Sequence, residues 1–205
     1  MKLEESERLS QETFDSVLKE YEKSITLPKQ KPAQQFFLCP VGLIGSGKTT
    51  VLKSLSEKLS LVRVSGDEIR KLLHNRGLGY DQVWEIGSIL VKKFAHQGHS
   101  IANDTDGATS RTREALEELA QELQAKIIYI HINPPEEFIL NKLRTFKHTW
   151  LYRNAEQAIE NYNQRKPLHK NLSLPYVFTF DTSVENLGSQ IEEATRLIKL
   201  ESGNN

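Results

Sequence analysis

Five short apolar runs alternate along the chain with longer segments in which apolar residues recur at helical spacing. The runs that we expect to be strands are Phe36–Val41, Leu61–Val64, His99–Ala102, Lys126–Ile132 and Tyr176–Phe180. Because strands alternate with helical segments, the pattern predicts a parallel sheet with right-handed crossovers and helices on both faces. The expected fold class is α/β, a three-layer sandwich around a parallel sheet of about five strands.

The beginning of the chain has a different pattern, which predicts a helical appendage. We expect a helix from about Ser6 to Glu22, followed by Pro28, Pro32 and a linker rich in Lys and Gln. Its apolar stripe should pack on the core or on a partner subunit. The predicted organisation is therefore an N-terminal helix and linker over 1–35 and a main domain over 36–200, with a helical lid at about 141–170.

Two polar segments are predicted to start helices. In Asn133-Pro134-Pro135-Glu136 the Asn is the expected N-cap, with Pro in the first turn and Glu at the third helical position. Thr182-Ser183-Val184-Glu185 has the same logic before the last helix.

Composition and charge narrow the class of protein. The 205 residues suffice for one α/β domain, and 38% hydrophobic with 26% charged residues is typical of soluble proteins. We see no apolar stretch of about 18 residues and no signal-like start, so no membrane association is expected. The single cysteine, Cys39, is interpreted as a small buried hydrophobe, and the expected compartment is the cytoplasm.

The most informative motif lies directly after the first predicted strand. Residues 42–49 match the phosphate-binding pattern G-x-x-x-x-G-K-[ST], and a segment with helical spacing follows them. Glycines let consecutive N–H groups converge on an anion, and the helix N-terminus adds its positive end. The expected nucleotide-binding residues are Gly42, Leu43, Ile44, Gly45, Ser46, Gly47, Lys48, Thr49 and Thr50. Lys48 should contact the β- and γ-phosphates and Thr49 should bind Mg²⁺, which predicts ATP and Mg²⁺ as cofactors.

Carboxylates follow the next two predicted strands, at the sheet edge where open parallel sheets bind their ligands and carry their active sites. Asp67 and Asp104 each suit either of two roles beside a γ-phosphate, accepting a hydroxyl proton or holding a magnesium-bound water. The alternative for each is an Asp that caps the following helix. Asp106 is interpreted as a turn or cap residue.

Three segments carry a resemblance to a known family. With GLIGSGKTT at 42–50, VSGDEIR at 64–70 and ANDTDGATSRTR at 102–113, residues 36–195 resemble P-loop kinases of the polynucleotide 5′-hydroxyl kinase and zeta-toxin type. The resemblance implies a P-loop NTPase fold, with Asp67 as general base and Arg70 as a substrate-binding residue. It also implies that Asp104 orients the substrate or the metal shell, and that Arg111 matches a further substrate-binding arginine.

The chain departs from this family in the lid. Asn141 stands where the first lid arginine is expected, and Arg144 lies near the next expected place, out of register by about one residue. We predict that Arg144 or a neighbouring basic residue closes over the transferring phosphate. Trp150 and Tyr152 lie among the basic residues Arg144, Lys147, Arg153, Arg165 and Lys166. Base stacking is one interpretation, and core packing of Leu143, Phe146 and Trp150 at helical spacing is the other.

The leading interpretation is an ATP-dependent kinase that phosphorylates a hydroxyl of a small-molecule or nucleotide-like acceptor. A Ras-like GTPase is disfavoured because Asn141-Lys142-Leu143-Arg144 lacks the Asp of a guanine motif, so adenine is preferred by elimination. Lys plus Arg and Asp plus Glu number 27 each, which disfavours a nucleic-acid acceptor without excluding it. A different class also stays open, a non-catalytic ATP-binding regulatory protein. The sequence leaves the oligomeric state open.

Overall fold

A parallel sheet organises the protein, as the apolar runs predict. The computed structural model describes residues 8–145, 147 and 151–204. Within them the five strands are parallel and lie in the order β2-β3-β1-β4-β5. The elements are α1 Gln11–Ser24, β1 Phe36–Val41, α2 Lys48–Leu59, β2 Val62–Ser65, α3 Gly66–Asn75, α4 Val83–His96, β3 Ile101–Asp104, α5 Ser110–Leu123, β4 Lys126–Ile132, α6 Glu136–Arg144, α7 Ala155–Lys170, β5 Tyr176–Phe180 and α8 Leu187–Ser202.

The two faces of the sheet pack against different helices, which gives three layers. Along β1, Phe37 and Cys39 join a core with α1, α3, α4 and α5, whereas Phe36 and Leu38 join a core with α2 and α8. This alternation follows from the two-residue period of a strand that is buried on both sides. Cys39 is fully buried, and burial raises the pKa of its thiol to about 12, which agrees with its interpretation as a small hydrophobe.

Helix α1 packs on the core. It begins at Gln11 rather than near Ser6, because Ser10 caps it and accepts a hydrogen bond from the Thr13 amide. Phe14, Val17 and Tyr21 are buried in the core shared with α3 and α4, and the Tyr21 hydroxyl accepts from the Ser65 amide at 2.7 Å. Of the two expected partners for the apolar stripe, the structure shows the core, directly beneath the segment that carries Asp67.

Both predicted helix starts are wrong by several residues. Helix α6 begins at Glu136 with Pro135 at its N-cap position, so Asn133 lies before the helix and its amide instead donates to Phe180. Helix α8 begins at Leu187, because the Asp181 carboxylate binds the Ser183 amide and hydroxyl and holds 182–186 as turns. Side-chain bonds to the backbone compete with helix starts in such polar segments.

The described helices include none that is both long and apolar enough to cross a membrane.

The functionally important edge of the sheet is the one at which β1, β2 and β3 end. The chain moves to one side of β1 for β2 and β3 and to the other side for β4, so a crevice opens at the carboxyl ends of these strands.

Candidate active site

The glycine-rich segment forms a tight loop between β1 and α2. Gly45 and Gly47 have φ angles of 79° and 95°, in the left-handed region that glycine adopts without strain. Gly47 occupies the N-cap position of α2, so the amides of the first helical turn point toward the loop. The Ser46 hydroxyl is buried and has no hydrogen-bond partner among the described residues. The loop therefore has the conformation and the spare donors that an anion requires.

Lys48 lies across this loop. Its Nζ donates to the carbonyl oxygens of Gly42 at 2.5 Å and Leu43 at 3.0 Å. Burial lowers the pKa of Lys48, and the carboxylates of Asp106, Asp104 and Asp67 oppose this by raising it. Ile44 and Leu43 pack against α6 and α7, which anchors the loop to the lid helices.

Thr49 and Asp104 bring two oxygen donors together at the start of α2. Thr49 Oγ1 lies 3.4 Å from Asp104 Oδ1, at the end of β3. Hydroxyl and carboxylate oxygens are the donors that Mg²⁺ prefers, so these two residues fit the predicted ion. Asp104 is not a helix cap, because the N-cap position of α5 is Thr109; its second oxygen accepts a bond from Arg63.

Arg63 is a site residue that the sequence reasoning missed. It lies in β2 and pairs with both Asp104 and Glu68. Burial raises the pKa of Asp104, and the Arg63 guanidinium opposes that rise. The sequence could have indicated this role, because Arg63 is a charged residue inside the apolar run Val62-Arg63-Val64. The parallel register of β2 with β3 explains why Arg63 reaches Asp104.

Asp67 lies in the first turn of α3, and its side chain is 46% exposed. The N-cap position of α3 is Ser65, so the alternative interpretation of Asp67 as the cap does not hold. Its Oδ1 accepts a hydrogen bond from Arg70 Nη1 at 2.9 Å. Asp67 and Arg70 thus form a pair that faces the same crevice as the loop.

A single cavity of about 610 Å³ joins these groups. Its lining includes Gly45, Lys48 and Thr49 from the loop and the start of α2, and Asp67 and Arg70 from α3. Small-molecule sites commonly have this size. The sequence-predicted residues Ile44, Gly47, Thr50 and Asp104 also line it. The structure therefore brings the phosphate-binding loop and the predicted base to one cavity.

Two predicted arginines lie outside the lining of that cavity. Arg144 is exposed at the end of α6, and its Nη1 donates to Asn141 Oδ1 at 2.6 Å. Arg111 stacks its guanidinium 3.6 Å above the Trp84 ring, at the rim. Their roles in phosphate and substrate binding stay predictions. Tyr152 lines the cavity, whereas Phe146 and Trp150 lie outside the described residues.

The lid arginine that does line the cavity is Arg165, on α7. Its Nη2 donates to Asp106 Oδ2 at 3.0 Å, and His169 Nε2 lies 2.9 Å from the same oxygen. Asp106 also accepts a bond from the Ala108 amide, which confirms it as a turn residue. Asp106 therefore has a second task that its sequence position did not reveal, because it anchors the lid helix beside the phosphate loop.

We expect Asp106→Asn to lower the free energy of unfolding by about 2 kcal/mol at neutral pH. Burial raises the pKa of Asp106, but the hydrogen bond from His169 and the charges of Lys48 and Arg165 outweigh it and lower the pKa to about 2. A depressed pKa stabilises the fold above the unfolded-state value, near 4, and the benefit disappears as pH falls toward 2.

Urea unfolding of both proteins at pH 7, 4 and 3 measures this difference. The difference in the free energy of unfolding between the parent and Asp106→Asn should be largest at pH 7 and should decrease toward pH 3. A gap that is independent of pH would show that the Asp106 charge does not hold the lid.

Comparison with known proteins agrees with this architecture. Residues 38–160 match the family model of an AAA domain. A search of curated protein sequences finds no match.

Several solved structures share the fold. An APS kinase of Mycobacterium tuberculosis, solved with AMPPNP and APS, has a TM-score of 0.58 at 17% identity and covers 82% of this chain and 99% of its own. A putative kinase from Chloroflexus aurantiacus gives 0.62 at 15% identity, covering 80% and 98%. A structure from the PezAT toxin–antitoxin system of Streptococcus pneumoniae gives 0.59 at 15% identity, covering 94% and 97%.

Identities this low establish the fold alone, and the narrower resemblance to polynucleotide kinases and zeta toxins stays a prediction. The family match covers more than half of the chain and includes the phosphate-binding loop, Asp67 and Asp104. The protein therefore belongs to the AAA domain family and has the P-loop NTPase fold.

Proposed function

We propose that the protein is an ATP-dependent kinase that transfers the γ-phosphoryl group to a hydroxyl of a small-molecule or nucleotide-like acceptor. The observation that carries this proposal is the shared cavity, whose lining includes both Asp67 with Arg70 and Lys48 with Thr49. A protein that only binds nucleotide has no need of a carboxylate there, whereas a kinase needs a base. The fold shared with an APS kinase and a putative kinase supports the same class.

The phosphate loop performs the binding half of the reaction. The loop amides and Lys48 hold the phosphates, and the buried Ser46 hydroxyl offers one further donor. Mg²⁺, when bound by Thr49 and the Asp104 carboxylate, supplies charge neutralisation on the phosphate oxygens.

Asp67 and Arg70 act on the acceptor. Asp67 accepts the proton of the acceptor hydroxyl, and the acceptor oxygen forms a bond to the γ-phosphorus. The bond from that phosphorus to the β–γ bridging oxygen breaks, and ADP leaves with the electron pair. Arg70 holds Asp67 at 2.9 Å, and its remaining donors are directed to the acceptor.

A transfer screen tests the proposal. Purified protein with γ-labelled ATP and Mg²⁺ is incubated with pooled hydroxyl metabolites and, separately, with 5′-hydroxyl oligonucleotides. Label in a metabolite supports the small-molecule kinase, and label in the oligonucleotide replaces it with a polynucleotide kinase. Tight ATP binding without transfer or hydrolysis would favour a regulatory nucleotide-binding protein.

Arg165 is expected to matter more for transfer than Arg144. Arg165 lines the cavity and is held by Asp106, whereas Arg144 is exposed and bound to Asn141. We expect Arg165→Ala to lower the transfer rate by on the order of 10-fold, because a partly solvated charge near the phosphate is lost. Arg144→Ala is the matched variant in single-turnover measurements. A larger loss of transfer rate in Arg144→Ala than in Arg165→Ala would show that Arg144 is the lid arginine that acts on the transferring phosphate.

A further inference from the structure

The cavity extends beyond the reacting groups into a cleft between α4 and α5. The two helices contribute the apolar lining residues Val83, Trp84, Gly87, Val91, Ala115, Leu116 and Leu119 and the polar lining residues Ser88, Lys92 and Thr112. Val91, Leu116 and Leu119 are nearly fully buried, so the inner end of the cleft is apolar. Among the described residues that these helices contribute to the lining, Lys92 alone carries a charge.

Gly87 lines the cleft from within α4. It lies inside the helix, where glycine is less favourable than alanine. A methyl group at this position would meet Ile69 Cδ1 at 3.5 Å, an ordinary van der Waals contact, so packing does not require glycine. The missing side chain leaves room in the cavity wall instead.

Trp84 forms the outer wall of the cleft, and it is held in place. Its side chain is 38% exposed, and the Arg111 guanidinium stacks on its ring at 3.6 Å. This cation–π contact restrains an aromatic side chain that solvent would otherwise leave mobile. A restrained indole beside an apolar slot is suited to a flat ring.

We infer, on the basis of the proposed kinase function, that the acceptor carries a planar, largely apolar ring that enters the cleft between α4 and α5 beside Trp84. Its hydroxyl then lies toward Asp67, at the mouth of the cleft. A polyhydroxylated open chain fits the inner end of this slot poorly, because the side chains of Val91, Leu116 and Leu119 offer its hydroxyls no hydrogen-bond partner.

The first test uses acceptors that share a hydroxyl and differ in the ring. Phenyl ribofuranoside is compared with methyl ribofuranoside, and 2-phenylethanol is compared with ethanol; the member of each pair with the aromatic ring is called ring-bearing and the other ring-free. We expect the ring-bearing member of each pair to have a kcat/KM higher by about 10- to 100-fold. Equal values within both pairs would overturn the inference.

The second test narrows the cleft. Ala115→Phe should reduce the ratio of kcat/KM for ring-bearing to ring-free acceptors by about 10-fold, because the new side chain occupies the slot. Glu118→Phe, on the exposed face of the same helix, is the control and should leave the ratio unchanged. An unchanged ratio in a folded Ala115→Phe protein would contradict the inference.

A third variant acts through Gly87 and does not depend on turnover. Gly87→Ala should raise the melting temperature by about 2 to 4 °C while weakening binding of the ring-bearing probes. Binding is followed by Trp84 fluorescence in a Trp150→Phe background, which leaves one tryptophan of the 2 in the chain. A change in Trp84 fluorescence, in intensity or wavelength, on adding phenyl ribofuranoside or 2-phenylethanol, with weaker binding in Gly87→Ala, supports the cleft; no change with both probes overturns it.

The inference and the proposed function fail in different ways. If phosphate is transferred equally well to ring-free and ring-bearing acceptors, the inference of a ring-binding cleft is wrong and the proposed kinase function still holds. Absence of both ATP hydrolysis and transfer, with a ring-dependent change in Trp84 fluorescence, refutes the kinase and retains the cleft as a ligand site.

Discussion

Lys48→Ala is expected to reduce turnover of Mg-ATP by about 10²- to 10³-fold. The side chain spans the phosphate-binding loop, where it donates to the carbonyl oxygens of Gly42 and Leu43. Its charge lies in the loop that is expected to hold the β- and γ-phosphates. Removing it deletes a preorganised charge that is partly buried, where electrostatic interactions are stronger than in bulk water.

The fold should survive this change. Lys48 begins α2, where alanine is a good helix former, and Gly47 retains its left-handed conformation. Circular dichroism and the melting temperature check this directly. Lys53→Ala is the matched control, because Lys53 is exposed on the same helix.

Steady-state ATP hydrolysis and calorimetric ATP affinity are then compared in the three proteins. Lys53→Ala should behave like the parent. If Lys48→Ala also binds and turns over ATP as the parent does, the phosphate-binding assignment of residues 42–50 is wrong.

The sequence was sufficient to predict the parts of the site that are formed by residues close to one another along the chain. The phosphate-binding loop follows from glycine spacing between a strand and a helix, and β1, β4 and β5 have the predicted bounds. Strands β2 and β3 were placed one or two residues early, because the polar residues Ser65 and Asp104 that end them break the apolar pattern.

The missed parts depend on contacts between distant segments. Asp106 and Arg165 are 59 residues apart, and only the packing of α7 over the cavity joins them. Arg144 matched the family spacing approximately, yet the spacing along the chain does not specify which side of α6 faces the cavity. There Lys142, rather than Arg144, contributes to the lining.

Asp67→Asn is expected to lower phosphoryl transfer by roughly 10²-fold or more, with ATP affinity within a few-fold of the parent. Asparagine keeps the side-chain volume and an oxygen that can accept the bond from Arg70, so the pair with Arg70 is retained. It cannot accept the hydroxyl proton. The lost carboxylate in the first turn of α3 costs the fold only about 0.3 to 1 kcal/mol through the helix dipole.

This substitution separates a kinase from a nucleotide-dependent switch, because a switch needs no base. The measurement is paired: calorimetric ATP affinity, and single-turnover transfer to the acceptor that the screen identifies, with slow ATP hydrolysis to water as the readout until then. Asp81→Asn, at an exposed position before α4, controls for the loss of one negative charge. If Asp67→Asn matches the parent in both quantities, the carboxylate serves only to hold Arg70, and the kinase proposal loses the residue that distinguishes it from simple binding.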